Sequence, residues 1–424
     1  MTNHFETKAI HSGYEPDSNT LSRAVPIYRT NSYVFNNTEH AANLFSLKEL
    51  GNIYTRIMNP TQDALEKRIA DLEGGAAALA LASGTSAIFY SIINICKHGD
   101  EVVAASNLYG GTHVQLNNIL PQFGINTKFV DVKDLSSFEN AINEKTRVIF
   151  IETIGNPTLD VADIEGISKI AKKHNLPLVV DSTFTTPYLL NPIEHGANIV
   201  IHSLTKWIGG QGTGIGGIVV DAGNFDWTDK KFELFNEPEA SYNNLRFAHD
   251  LGPLNPVAYI LRMRLVPLRN LGACIAPDNA WLFLQGLETL ALRMERHCEN
   301  TLKVSKWLEN HPKVSWVKYP GLESDPNFEI ANKYLPKGKG SVVVFGHKDG
   351  RDGAEKFINN LELFSHVANV GDAKSLAIHP ASTTHSQLSQ DTQLSSGGLT
   401  PDLVRLSIGI EHIDDILADL EQAL

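Results

Sequence analysis

The stretch from Ile201 to Gly217, "IHSLTKWIGGQGTGIGG", carries one lysine, Lys206, between a β-branched run and six glycines. An ε-amine is a poor nucleophile while protonated, but partial burial lowers its pKa and lets it form a Schiff base with an aldehyde. The glycines offer a second chemistry, because Gly212, Gly214 and Gly217 fit the G-x-G-x-x-G spacing of a dinucleotide site. That spacing works only after a strand and at the start of a helix, with an acidic residue about 20 positions on. Here the glycines run straight into "IVVDAGNF", which reads as another strand, so the lysine is the stronger candidate.

Asp181 ends the apolar run "LPLVVDS", 25 residues before Lys206. A carboxylate so placed can keep a pyridine nitrogen protonated, which makes the ring electron-withdrawing. The two residues together point to pyridoxal phosphate. "ASGTSA" puts Ser83, Gly84 and Thr85 at the start of a predicted helix, where free N–H groups and the helix dipole favour a phosphate dianion. Ser203 and Thr205 add hydroxyl donors, Tyr109 in "NLYGGT" offers a flat face to the pyridine ring, and Asn156 can donate to its phenolic oxygen. Taken singly, a lysine in a glycine-rich segment is usually a solvated loop residue, such an aspartate a helix cap, and such a tyrosine a packed aromatic. Their joint order along the chain is not something packing alone requires.

The elements around these residues must bring them to one place. Short β-rich runs, "EVVAAS", "NTKFVDV", "TRVIFIET", "LPLVVDS" and "ANIVIHS", alternate with helical stretches such as "DIEGISKIAKKHN". This predicts an α/β fold with a large, mostly parallel sheet and helices on both faces. Ligands gather beyond the carboxyl ends of such strands. Glu152, Asp181 and Ser203 each end one of the runs, and Asn156 and Lys206 follow a few residues on. "NPTQDALEKRIADLEGG" predicts a helix opened by Pro60 and Thr61, apolar at Leu65, Ile69 and Leu72, and ended by Gly74 and Gly75.

Residues 1–60, rich in Asn, Thr, Ser and Tyr without sustained periodicity, read as an arm that reaches a neighbouring subunit. Residues 61–275 read as the large cofactor-binding domain, with an aromatic, Asn-rich insertion at about 226–275. Residues 276–424 read as a smaller α/β domain. It opens with one long amphipathic helix, "NAWLFLQGLETLALRMERHCENTLKVSKWLEN", and continues with strands at "VSWVKYP", "SVVVFG" and "VRLSIGI".

A chain of 424 residues, 42% hydrophobic, can bury two ordinary cores. The 36 Lys and Arg against 48 Asp and Glu give a net charge of −12, and no basic stretch is present to track a nucleic acid or an anionic membrane. The opening "MTNHFETKAIHSGYEP" has no leader pattern and no apolar run approaches membrane-spanning length, which predicts a cytoplasmic protein. Cys96, Cys274 and Cys298 never form Cys-x-x-Cys, and the 16 histidines include no His-Glu-x-x-His, so reduced thiols and no metal centre are expected.

The motifs "IYTRIMNPT", "ASGTSA", "NLYGGT", "ETIGNPT", "VVDSTFTTPY", "IHSLTKWIGG", "GDAKSLAIHPASTTH" and "VRLSIGIE" span nearly the whole chain. With them the sequence resembles the Cys/Met-metabolism group of fold-type I pyridoxal-phosphate enzymes. The resemblance implies that Lys206 carries the cofactor as a Schiff base and acts as the catalytic lysine, with Tyr109 stacked on the ring and Asp181 on its nitrogen. It implies that Ser83, Gly84, Thr85, Ser203 and Thr205 cradle the phosphate, and that Arg405 forks onto the substrate α-carboxylate beside Asn369. It also implies that Tyr54 and Arg56 complete the phosphate site of a neighbouring subunit in a homotetramer built as a dimer of dimers.

Within that group, lyases that degrade methionine often carry a Cys two residues after the stacking Tyr, and Ser-Leu before the Gly of the late loop. This chain has Gly111, and Asn369 and Val370 before Gly371. The insertion and "NVGDAKSLAIHPASTTHSQL" resemble the O-acetylhomoserine sulfhydrylases instead. The implied reaction is γ-replacement in methionine biosynthesis, in which O-acetyl-L-homoserine and sulfide, or a small thiol, give L-homocysteine and acetate. The alternative is a cystathionine γ-synthase or a methionine γ-lyase.

Overall fold

The computed structural model describes residues 3–383 and 399–424. Its larger sheet has seven strands: β1 (Ala77–Leu81), β2 (Glu101–Ala105), β3 (Asn126–Val130), β4 (Thr146–Glu152), β5 (Leu178–Asp181), β6 (Ile199–Ser203) and β7 (Gly217–Asp221). Their order is β1-β7-β6-β5-β4-β2-β3. β3, β2, β4, β5 and β6 run parallel, each reached through a crossover, and β4 to β7 are buried almost throughout. β7 departs from the pattern by pairing antiparallel with both β6 and β1. The cause is the glycine-rich segment after Lys206, which forms turns and no crossover helix, so the chain comes straight back. This also disposes of the dinucleotide reading, since Gly217 opens a strand. β1 is absent from the runs read in the sequence because Ala77–Leu81 is built of Ala and Leu, which carry no β signal.

Two helices pack against β1 and β7. Pro60–Glu73 begins where the Asn59 side chain accepts from Thr61 N and ends where Gly74 turns to φ 71°. Gly84–Ile93 begins at Ser83, whose hydroxyl accepts from Ser86 N. Residues 226–275 form short helical turns, including Glu233–Asn236 and Ala258–Met263, held by an aromatic cluster. Trp227 stacks on Phe235 at 4.4 Å and on Tyr259 at 5.3 Å, so the Asn-rich stretch folds onto the main core. The arm is not irregular throughout either. Phe5–His11 is a helix tied to its own chain, through the Lys8–Asp71 ion pair at 2.9 Å and a hydrogen bond from Arg68 Nε to Ser12 O at 2.8 Å.

The smaller sheet contains β8 (Val314–Lys318), β9 (Val342–His347), β10 (Ser365–His366), β11 (Leu376–Ile378) and β12 (Leu403–Ser407), in the order β10-β11-β12-β9-β8. β10 and β11 are too short to show a period in sequence. The expected long helix is two, Pro277–Glu288 and Leu290–Glu309, broken at Thr289. Arg293 explains the break. Its buried guanidinium takes the Gly286 carbonyl at 2.6 Å, which a continuous helix would use, and also takes Trp207 O at 2.6 Å. The broken helix thereby clamps the loop that follows Lys206. Among the described residues no helix is long and apolar enough to cross a membrane.

Candidate active site

A cavity of about 580 Å³ opens at the carboxyl ends of β4, β5 and β6, as a parallel sheet dictates. Its floor is set by close backbone approach. A Cβ on Gly84 would come within 2.7 Å of Ser203 Cβ, and one on Gly217 within 2.2 Å of Ser83 O. These two glycines let the start of helix Gly84–Ile93 lie directly against β6 and β7. Ser83 caps Ser86 N at 3.0 Å, and the N–H groups of Gly84 and Thr85 precede any intrahelical acceptor. Ser83, Gly84, Thr85 and Ser203 line this end of the cavity, which suits a phosphate. Thr205 lines it too, but its hydroxyl exchanges hydrogen bonds with Gly216, accepting at 3.1 Å and donating at 3.3 Å, and so also holds the glycine loop in place.

Lys206 enters from the turn after β6. Its Nζ donates to Asn369 Oδ1 at 2.6 Å. Burial, and then the charge of Arg405, lower the amine from 10.5 to about 8, so a useful fraction is neutral near physiological pH. Arg405 reaches the same cavity from β12 of the other sheet. It is 6% exposed and donates from Nη1 to Asn156 Oδ1 at 2.9 Å and from Nη2 to Asn369 O at 3.3 Å. No carboxylate pairs with it among the described residues, and burial draws it down to about 10. A buried cation without an anion is costly and calls for a carboxylate ligand. Asn156, with its oxygen on Arg405, keeps its amide N–H groups for an acceptor on a cofactor in the cavity.

Asp181 ends β5 at the far side. Its Oδ1 accepts from Thr183 N at 3.0 Å and Thr183 Oγ1 at 2.6 Å, and burial raises it above the ordinary value. Thr183 in turn accepts from Ser203 N at 2.9 Å, joining β5 to β6. Tyr109 stands at the start of helix Gly110–Val114 and is 52% exposed. Its main-chain N–H donates to Glu152 Oε1 at 2.8 Å. Neither Thr183 nor Glu152 was assigned a role from the sequence. The signal for Thr183 was the Asp-Ser-Thr order of an Asx-type turn, and for Glu152 only its place at a strand end.

Eleven of the expected residues therefore share one cavity: the four at the phosphate end, Thr205, Lys206, Asp181, Tyr109, Asn156, Asn369 and Arg405. Tyr54 and Arg56 do not join them. They form their own pair outside the cavity, the guanidinium 5.3 Å from the Tyr54 ring centre, with Tyr54 39% exposed. Part of the late motif, Thr384 to Leu388, lies outside the described residues.

A lysine amine of depressed pKa, a buried carboxyl group at one end, a helix N-terminus at the other and an open aromatic face between fit pyridoxal phosphate. Arg405 beyond them, without a carboxylate partner among the described residues, fits an amino-acid carboxylate. The fold and this site define a pyridoxal-phosphate enzyme of the two-sheet α/β type. The chain belongs to the Cys/Met metabolism PLP-dependent enzymes, whose family model matches residues 6–424. It is 56% identical to an O-acetyl-L-homoserine sulfhydrylase of Leptospira meyeri, over 99% of this chain and 96% of that protein. It is 52% identical to a homocysteine synthase of Schizosaccharomyces pombe, over 99% and 98% of the two chains. Its fold is similar to a crystal structure described as an O-acetylhomoserine (thiol)-lyase of Campylobacter jejuni (TM-score 0.95, 43% identity, 99% of each chain), which contains N′-pyridoxyl-lysine-5′-monophosphate.

Proposed function

We propose that the chain catalyses γ-replacement on O-acetyl-L-homoserine, with sulfide as acceptor, to give L-homocysteine and acetate. The similarity to sulfhydrylases and homocysteine synthases across the whole chain supports this reaction. The structural observation that carries it is the line Arg405–Asn369–Lys206, a buried anion receptor next to an amine whose pKa is lowered to about 8. Pyridoxal phosphate, when bound, supplies an electron-withdrawing ring that eases loss of protons from the amino acid.

The chain's own residues do the rest. Arg405 orients the amino acid by its carboxylate, and Asn369 holds Lys206 Nζ, which takes the α-proton and returns it further along the chain. Bound there, the cofactor would have its pyridine nitrogen held by Asp181, its phenolic oxygen by Asn156 and its ring face by Tyr109. Ser83, Gly84, Thr85, Ser203 and Thr205 would hold its phosphate. The pyridoxyl-lysine of the Campylobacter jejuni structure supports Lys206 as the residue that carries the cofactor. Because Tyr54 and Arg56 do not line the cavity of their own chain, the reading has them act in a neighbouring subunit, within a cytoplasmic homotetramer. It divides the chain into an arm at 1–60, a large domain at 61–275 and a smaller one at 276–424.

Product analysis tests the reaction. O-acetylhomoserine plus sulfide should yield homocysteine much faster than O-succinylhomoserine plus cysteine yields cystathionine, or methionine alone yields a keto acid. Gly111 leaves no thiol beside Tyr109 for elimination. Methionine breakdown as fast as sulfide transfer under matched conditions would replace this reading with a lyase.

A further inference from the structure

Glu152 lines the cavity, yet the roles above leave it unused. On β4 it is in register with Asp181 on the parallel neighbour β5. Residues in register on adjacent strands present their side chains on the same face, with the strands about 4.8 Å apart. Two carboxyl groups therefore stand side by side, 6% and 9% exposed, and like charges so placed do not both ionise.

Their surroundings decide which one keeps the proton. Asp181 accepts two hydrogen bonds from Thr183, while Glu152 accepts one, from Tyr109 N. The cations across the cavity are engaged elsewhere: Lys206 on Asn369, Arg405 on Asn156 and Asn369. Burial, and then Asp181, push the Glu152 carboxyl well above its ordinary value. The hydrogen bond from Tyr109 matters because that residue brings an aromatic ring to the cavity lining. Its ring folds over Gly111, where a Cβ would come within 2.5 Å of Tyr109 Cε1. A shift of the main chain at Tyr109 therefore moves the ring.

We propose that Glu152 is a positioning residue that works as a neutral carboxylic acid, holding the main-chain N–H of Tyr109 and leaving Asp181 as the single negative charge beside the pyridine nitrogen. This rests on the pyridoxal-phosphate site and not on which acyl donor or thiol the enzyme uses. Glu152→Gln reproduces the neutral acid, and Glu152→Ala removes the acceptor.

The first test is the infrared difference spectrum between wild type and Glu152→Gln at pH 7, on cofactor-free full-length protein. A protonated-carboxyl band present only in wild type is expected; its absence overturns the proposal. The second is the pH dependence of stability. A carboxyl group raised above its unfolded value lends stability at low pH that is lost as pH rises above about 4.5. The melting temperature of Glu152→Gln relative to wild type should therefore climb from pH 5 to pH 8, and a flat difference refutes the idea. In pyridoxal-phosphate titrations, Glu152→Gln should bind within about threefold of wild type, and Glu152→Ala about tenfold more weakly. Equal losses in the two variants would mean that an ionised carboxylate is needed, against the proposal. Should the Ala variant not fold, the two comparisons of wild type with Glu152→Gln decide it. None of these measurements uses an acyl homoserine, so failure of the sulfide-transfer reading leaves them unaffected.

Discussion

Replacing Lys206 with Met in the cofactor-free protein isolates the cost of placing an amine where the structure puts it. Burial and Arg405 take the amine from 10.5 to about 8, and each tenfold change in proton affinity is about 1.4 kcal/mol, so the charged form is disfavoured by about 3 kcal/mol. The sign follows from the lowered value. Below about pH 8 both the folded and unfolded chains carry the proton, and the folded state bears the whole cost. Between about 8 and 10.5 the unfolded chain binds more protons than the folded one, so wild-type stability rises with pH. The Met variant has no such term. Its stability relative to wild type should be most favourable near pH 7 and should fall by about 2–3 kcal/mol on going to pH 10. Loss of the Lys206–Asn369 hydrogen bond leaves Asn369 Oδ1 without that donor, at about 1 kcal/mol, but this offset does not depend on pH. Urea unfolding followed by tryptophan fluorescence suits the measurement, since buried Trp207 adjoins Lys206. Parallel pH profiles for the two proteins over pH 7 to 10 would refute the claim that the lysine is held in a depressed state.

Two further outcomes are expected. Arg405→Lys keeps the charge but loses the fork that now spans Asn156 and Asn369, so kcat/KM for O-acetylhomoserine should drop about 100-fold, mostly through KM; a KM within threefold of wild type would remove Arg405 as the carboxylate anchor. Mixing inactive Arg56→Ala chains with inactive Lys206→Ala chains should restore part of the activity, because a hybrid dimer keeps one site with both residues intact; demonstrated hybrids without activity would count against action across subunits.

The sequence by itself determined what depends on neighbours along the chain. The Pro60 start and Gly74 end of one helix, the start of another at Ser83 and the strand ends at Glu152, Asp181 and Ser203 are all local matters of dihedral preference and period. A parallel sheet then places its strand ends at one edge, which is why the lysine, the aspartate and the phosphate donors could be assigned to one mouth before any coordinates. Tertiary structure alone decided the rest. Arg405 meets Asn156 across 249 residues of chain, and its cost and purpose arise only once it is buried there with no anion beside it among the described residues. Strand register sets Glu152 beside Asp181, a competition for one proton that no spacing reveals. Arg293 breaks a helix whose sequence period runs on through Thr289, because the guanidinium draws carbonyls from two segments at once. Tyr54 and Arg56 fall outside the cavity of their own chain even though their motif announces chemistry. Desolvation, register and long-range charge are properties of what surrounds a residue in space, and a linear pattern carries only what surrounds it in order.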